Sequence, residues 1–312
     1  MIYQARSRAF TNIALTKYWG KVDSTNAPTT TSIGLTLDKF STTTKVTFSS
    51  EFSVDEFYLD GKRIESPKIE KVINFVREKY RVDLPARIDS TNDVPMAAGF
   101  ASSASAFAAL AYSIDQALEL KLTSPEISEI ARIGSGSASR SIFGGFSIWS
   151  NQPPYYAESL LSQVNFDIKI VDILTNTDVK KVSSTNGMQM ALTSPLYKKW
   201  VLDSTKTNAE MIDAIENGDL EKIGIIAENN ALFMHKLNRT SARPFDYFTD
   251  ETLEIIETVK KMRSEGFLTF STIDAGPNVK IITDSTGVQR IKSQFDENKI
   301  LVQEPGIGAY NV

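Results

Sequence analysis

The sequence has no cysteine and a single histidine, His235, in 312 residues. The missing cysteine excludes a disulfide framework, a thiolate nucleophile, a zinc knuckle and iron–sulfur ligation. One histidine excludes a multi-histidine metal site, and any Ser-His-Asp triad has to be built around that residue. No run approaches the roughly 18 apolar residues of a membrane-spanning helix. A basic excess is also missing: 34 Lys and Arg stand against 38 Asp and Glu, a net charge of −4, so no large nucleic-acid footprint is expected. Residues 1–10 hold Arg6 and Arg8 but no apolar signal-peptide stretch, and a cytoplasmic protein without a membrane partner is the expectation.

What is present is ordinary globular composition, 41% hydrophobic and 23% charged. At this length a single core tends to divide into two domains. Asp60-Gly61 after Phe57-Tyr58-Leu59 predicts a tight hairpin. Ile69, Val72, Ile73 and Val76 share one helical face within Pro67–Tyr80. Ser124-Pro125 predicts a helix start with Ser124 as its cap. Helices are also expected over Lys198–Ile215, Asp219–Lys236, Asp250–Arg263 and Val288–Phe295, with strands around Asp274–Asn278. Strands and helices do not strictly alternate, so the pattern is α+β, with two domains meeting near residues 155–170.

Four segments combine residue types that suit anion chemistry. Pro95–Ser105 is a small-residue loop running into a helix, where backbone N–H groups and hydroxyls make an anion site; the plainer alternative is a tight turn under a neighbour. It lacks the Gly-Lys-Ser/Thr of a P-loop. Asn12–Lys21 carries Lys17 and Lys21 on one side whether helical or extended, with Tyr18 and Trp19 as walls; an edge strand with solvated lysines is the alternative. Ile133–Ser141 places four serines and Arg140 after a helix stop, a set that suits a carboxylate or phosphate better than a linker does. Asp274-Ala275-Gly276-Pro277-Asn278 is either a turn or a carboxylate that a ligand can approach closely. His235, near the end of a helical stretch, is expected to be a structural cation at a helix C-terminus.

Together these segments resemble the diphosphomevalonate decarboxylases of the GHMP kinase superfamily. Asn12–Lys21, Pro95–Leu110, Ala131–Phe146, Lys180–Ser184 with Gly187-Met188, and Asp274–Val279 follow the family order. The resemblance implies the GHMP kinase fold, in two parts. Residues 1–165 would form an N-terminal domain like domain 2 of ribosomal protein S5, with the ATP phosphate loop. Residues 166–312 would form a ferredoxin-like C-terminal domain. It implies ATP and Mg²⁺, a homodimer, and conversion of 5-diphosphomevalonate to isopentenyl diphosphate through 3-phosphorylation, loss of phosphate and loss of CO₂.

The resemblance also assigns residues. Asp274 is the base, Lys17 stabilises developing charge, Arg140 grips the substrate carboxylate and Asn12 supports the centre. Tyr18, Lys21, Ser135, Ser137, Ser184 and Met188 hold the rest of the substrate. Pro95, Ala97, Ala98, Gly99, Ala101, Ser102, Ser103 and Ser105 cradle the nucleotide phosphates, with Ser103 near Mg²⁺. Three positions depart from the pattern: Thr11, Ser139 where many members have Cys, and Thr185 where some bacterial members have Arg. The last leaves the number of substrate phosphates open. The rivals within the superfamily are a phosphomevalonate decarboxylase and a mevalonate-type 3-kinase, and the kinase lacks the Asp and Lys pair that is present here. A non-catalytic S5-like binding module predicts a basic face and an eroded centre, which this acidic chain does not match.

Overall fold

Two long strands begin the architecture: β1 (Ile2–Ala14) and β2 (Ser32–Ser49). The second is rich in Thr, with Ile, Val and Phe among its residues, types that suit a pleated surface. They pair antiparallel from Ile2↔Ser49 to Ala14↔Gly34, with one irregularity between Phe10 and Asn12. The computed structural model describes residues 2–93, 102–175 and 182–312. Pro95, Ala97, Ala98, Gly99 and Ala101 of the expected nucleotide loop lie outside the described residues, as do Lys180 and Lys181.

The chain continues through β3 (Glu56–Leu59), β4 (Lys62–Ile64), α1 (Pro67–Tyr80), β5 (Ala86–Asn92), α2 (Ser102–Leu118) and α3 (Ser124–Gly134). The β3–β4 turn is the expected hairpin: Asp60 and Gly61 have φ of 50° and 75°, the paired positive values a two-residue turn of this kind requires. Ser66 caps α1 by accepting from the Ile69 N–H, with Pro67 opening the helix. The α3 cap is Thr123 rather than Ser124, because the Glu126 carboxylate reaches back to the Thr123 N–H at 2.8 Å. A 3-10 turn spans Gly136–Ile142. Strands β6 (Phe146–Trp149) and β7 (Ala157–Leu161) complete this half.

Next come β8 (Lys169–Ile173), α4 (Ser184–Ala191), α5 (Tyr197–Glu216), α6 (Leu220–Arg239) and α7 (Asp250–Ser264). They are followed by β9 (Thr269–Ile273), β10 (Val279–Thr283), α8 (Ser285–Lys292), β11 (Ile300–Gln303) and β12 (Tyr310–Asn311). The last helix begins at Ser285, earlier than expected, because Asp284 caps it through the Gly287 N–H.

The described strands form two sheets. The larger has the order β12-β1-β2-β5-β3-β4, with β6 joined to β2 and β7 to β6; the smaller is β11-β8-β10-β9, antiparallel throughout. The chain's last strand thus returns to the first sheet, with Arg8 opposite Tyr310. One apolar cluster crosses between the sheets: Ile13, Leu35 and Leu37 meet Ile170, Phe270 and Ile282 together with Ile223 and Ala227 of α6. Each Ile, Leu or Phe side chain in it contributes roughly 1.5–3 kcal/mol on burial, so this shared layer fixes one sheet against the other.

Candidate active site

A cavity of about 760 Å³ opens where the segment after β1, the 3-10 turn, the start of α4 and the β9–β10 turn converge. Among its lining residues are Asn12, Lys17, Tyr18, Lys21, Ser103, Ser135, Ser137, Arg140, Ser184, Met188 and Asp274. Segments far apart in the chain are therefore brought to one wall. Lys68, Lys71 and Thr185 line the cavity as well.

After Ala14 the chain leaves the sheet, so the segment carrying Lys17 is neither a helix nor a strand. The edge-strand alternative with solvated lysines fails at Lys17, which is buried. Its backbone N–H is held by Asn230 Oδ1 at 2.7 Å. Its ammonium donates to the Ala14 carbonyl and to Asp274 Oδ1, each at 2.8 Å. The Lys17 side chain is 2% exposed and that of Asp274 39% exposed, so the carboxylate is the partner that faces the cavity. Burial pulls the Lys17 pKa below the usual lysine value, and Asp274 offsets only part of that.

The turn that carries Asp274 is pinned on both sides. Thr252 Oγ1 donates to the Pro277 carbonyl at 2.8 Å, and Thr175 donates to Asn278 Oδ1 through both its N–H and its hydroxyl. Asp274 thus follows the end of β9 on a held backbone.

Arg140 lines the same cavity from the 3-10 turn. Its Nε donates to Asn12 Oδ1 at 3.2 Å and its Nη1 to Ser32 Oγ at 2.6 Å. Asn12 is fixed in turn by donating to the Ser137 carbonyl at 3.0 Å and to Ser141 Oγ at 2.7 Å. A Cβ on Gly34 would stand 2.7 Å from Arg140 Nε and 2.8 Å from the Ile13 carbonyl oxygen, so β2 needs a glycine there to leave room for the Arg140 side chain. Burial lowers Arg140 to about 10, with Asp274 and Tyr18 opposing the shift, and it stays charged at neutral pH.

The mouth of the cavity is cationic. Lys21 donates to Asn26 Oδ1 at 2.8 Å. Its pKa is pulled down by burial and then by the charges of Lys68 and Lys71. Among the described residues that line the cavity Asp274 is the one carboxylate, alongside Lys17, Lys21, Lys68, Lys71 and Arg140. Such a concave, single-sign field concentrates anions. Serines add neutral donors: Ser103 and Ser137 each lie 3.3 Å from Ser135 Oγ. Burial pushes the Tyr18 phenol well above its usual range, so it remains a neutral donor, and its ring meets Trp149 edge-on at 4.7 Å.

Two expectations change. Ser105 does not reach the cavity: it is buried, with its hydroxyl 2.8 Å from Thr42 Oγ1. It follows from helix geometry that this residue points from α2 onto the sheet while Ser103 points to the cleft. His235 is structural, as expected, but it is no cation. It is fully buried against Phe248 and Tyr247, and burial lowers its pKa to about 4. Lys68 and Lys71 were not anticipated; on the polar side of α1 they carry no sequence signal that separates them from a solvated face.

Comparison with known proteins places these features in a family. Residues 9–159 match the diphosphomevalonate decarboxylase-like N-terminal domain, and residues 170–303 match the mevalonate 5-diphosphate decarboxylase C-terminal domain. The chain is similar to a diphosphomevalonate decarboxylase of Candida albicans, 33% identical, over 94% of this chain and 87% of that protein. It is similar to the crystal structure of mevalonate diphosphate decarboxylase from Staphylococcus aureus, with a TM-score of 0.94 and 40% identity over 100% of this chain and 98% of the other. A further structural relative, solved in complex with MVAPP, AMPPCP and magnesium, matches with a TM-score of 0.93 and 35% identity over 100% of this chain and 99% of the other.

Proposed function

The chain belongs to the diphosphomevalonate decarboxylase family, and from that premise we propose how its own residues carry out the reaction. The reaction is the ATP-dependent decarboxylation of 5-diphosphomevalonate to isopentenyl diphosphate, ADP, phosphate and CO₂. The observation that carries the assignment of roles is the 2.8 Å Lys17–Asp274 pair, whose carboxylate opens into a cationic cavity.

The tertiary 3-hydroxyl of the substrate attacks the γ-phosphorus of ATP. The bond from that phosphorus to the ADP oxygen breaks, and the hydroxyl proton passes to Asp274. A tertiary alcohol is a weak nucleophile until it is oriented and partly deprotonated, and a carboxylate within hydrogen-bond reach does both. Lys17 stabilises charge that develops on the transferred phosphoryl group, a role that needs a fixed cation and no covalent step. The C3–O bond then breaks and phosphate leaves with its electron pair. The bond to the carboxylate carbon supplies the electrons of the new double bond, and CO₂ departs.

Arg140 holds the carboxylate that is lost. Its grip cannot work by stabilising that anion, which must become neutral, so its contribution is alignment of the breaking C–C bond with the departing phosphate. The internal bonds to Asn12 and Ser32 support this, because they immobilise the guanidinium before substrate arrives. Tyr18, Lys21, Ser135, Ser137 and Ser184 take the diphosphate, with Met188 against the carbon chain; all of them line the cavity.

The nucleotide phosphates lie at the start of α2, where the N-terminal end of a helix favours anions. A bound magnesium ion would lower the charge of the nucleotide phosphates. No three His, Asp or Glu side chains cluster to hold a metal among the described residues. That suits an ion that keeps water and phosphate oxygens as ligands, with the Ser103 hydroxyl as the chain's donor. The reading takes the protein to be a cytoplasmic homodimer that handles small molecules. The net charge of −4 supports the absence of a nucleic-acid partner, and no helix among the described residues is long and apolar enough to cross a membrane.

The test is to supply ATP and Mg²⁺ with the mono- and diphosphate substrates side by side, and to measure CO₂ and ADP. Equal CO₂ and ADP from the diphosphate is expected, with little of either from the monophosphate. ADP without CO₂ sinks the decarboxylase reading, and equal turnover of the monophosphate sinks the diphosphate assignment.

A further inference from the structure

Lys280 does not reach the cavity wall, yet it is 7% exposed, and its partner Asp172 is 0% exposed. The two form an ion pair at 2.9 Å. Strand register explains the meeting: Asp172 on β8 and Thr272 on β9 lie directly opposite Lys280 on β10. The three therefore share one face of the small sheet. Side chains alternate along a strand, so Asp274, two residues beyond Thr272, leaves β9 on that same side. It is a diagonal neighbour of Lys280, within reach of a long side chain.

The next row on this face is apolar, with Ile170, Ile282 and Phe270 packed under α6. Gln303 is the polar exception, and its Nε2 donates to Asp172 Oδ2 at 2.6 Å. The buried charge is thus confined to the end of the sheet beside Asp274. Stability does not account for it. A buried ion pair in a strand position is generally no better than a well-packed apolar pair, because both ions must be desolvated.

The charges are coupled. Burial pulls Lys280 down, but Asp172 and then Asp274 more than offset it, so it holds its proton more firmly than an ordinary lysine. Its charge in turn lowers Lys17.

We propose that Lys280, clamped by Asp172 and Gln303, is a positioning residue that keeps Asp274 ionised and aimed while the charge of Lys17 is drawn to the transferred phosphoryl group. The proposal rests on Asp274 being the base. Among the described residues, the charged groups whose fields reach Asp274 include Lys17 from the segment after β1, Arg140 from the 3-10 turn and Lys280 from β10, with Asp172 behind Lys280 on β8, while Lys21, Lys68 and Lys71 line the same cavity. From α6, His235 reaches the neighbouring Ile273 carbonyl at 3.4 Å and is held neutral by burial. Loss of Lys280 removes a cation from this set, so Asp274 keeps its proton to higher pH, and the acid limb of the kcat profile moves upward.

The experiment compares wild type, Lys280→Met and Lys280→Met/Asp172→Asn. The double variant removes both charges and serves if the single variant does not fold. Using the same substrates throughout cancels their own titrations. In Lys280→Met the acid limb should move up by about one pH unit, and plateau kcat should fall by about tenfold as alignment is lost. KM for ATP and for substrate should change by less than about twofold, since Lys280 contacts neither in this account. The double variant should move in the same direction by less, because the more distant opposing charge is gone as well. An unmoved limb and plateau in a folded variant, with only Tm lowered, overturns the proposal. Asp274→Asn in the same series separates the two readings. If it retains wild-type turnover, the base assignment falls. If it is inactive while the Lys280 variants match wild type, this inference alone falls.

Discussion

Two buried lysines flank Asp274; burial lowers the pKa of both, but the balance against their partners tips in opposite directions. At Lys17 the cost of burial exceeds the attraction of its partner, and the pKa drops. At Lys280 the attraction of Asp172 and Asp274 exceeds the cost, and the pKa rises. The partners account for the difference. Asp274 has a side chain 39% open to the cleft, whereas Asp172 is sealed and held by Gln303. A half-open carboxylate can exchange its lysine partner for a substrate hydroxyl. A sealed one can only hold a charge in place. The first pair is suited to a reaction and the second to supporting it.

That contrast is sharpened most by breaking the sealed pair. Asp172→Ala leaves the Lys280 ammonium buried without its partner, which should cost ~3–5 kcal/mol of unfolding free energy. Equilibrium denaturation in urea reads this directly, and a loss below ~1 kcal/mol would mean that water already reaches the pair.

A smaller effect separates His235 from both pairs. Its folded pKa of about 4 lies below the ordinary 6.5, so the unfolded chain binds the proton more tightly. The stability this contributes is complete above pH 6.5 and is lost as pH falls toward 4. The loss is at most ~3 kcal/mol over that window. In His235→Gln that part of the pH slope should vanish, with turnover little changed. An unchanged slope, or a selective loss of turnover, contradicts a buried neutral structural role.

The legible and illegible parts of the molecule divide along the same line. Asn12, Lys17, Arg140 and Asp274 sit in short motifs, and the fold brings all four to one cavity; residue types alone left Lys17 on a solvated edge strand and Asp274 in a turn as open alternatives, and their roles came from the family resemblance. The helices α5, α6 and α7 were legible because apolar residues recur at helical spacing across each of them. Lys280 and Asp172 were not legible. A charged residue in a strand ordinarily faces water, and only the packing of α6 over that face makes it an interior. Lys68 and Lys71 were missed for a related reason: they are polar residues on an amphipathic helix, and only the folded chain turns them to the mouth of the cavity. The Ser103 and Ser105 pair shows the limit of a motif. The resemblance put both hydroxyls on the nucleotide, and the helix points one at the cleft and the other at Thr42.

The central claim is that the open carboxylate serves the substrate hydroxyl and not the nucleotide. Measuring kcat and ATP affinity for Asp274→Ala tests it most directly. Turnover should fall by at least ~10²-fold with ATP binding largely intact; near-normal turnover, or a loss confined to ATP affinity, would contradict the account.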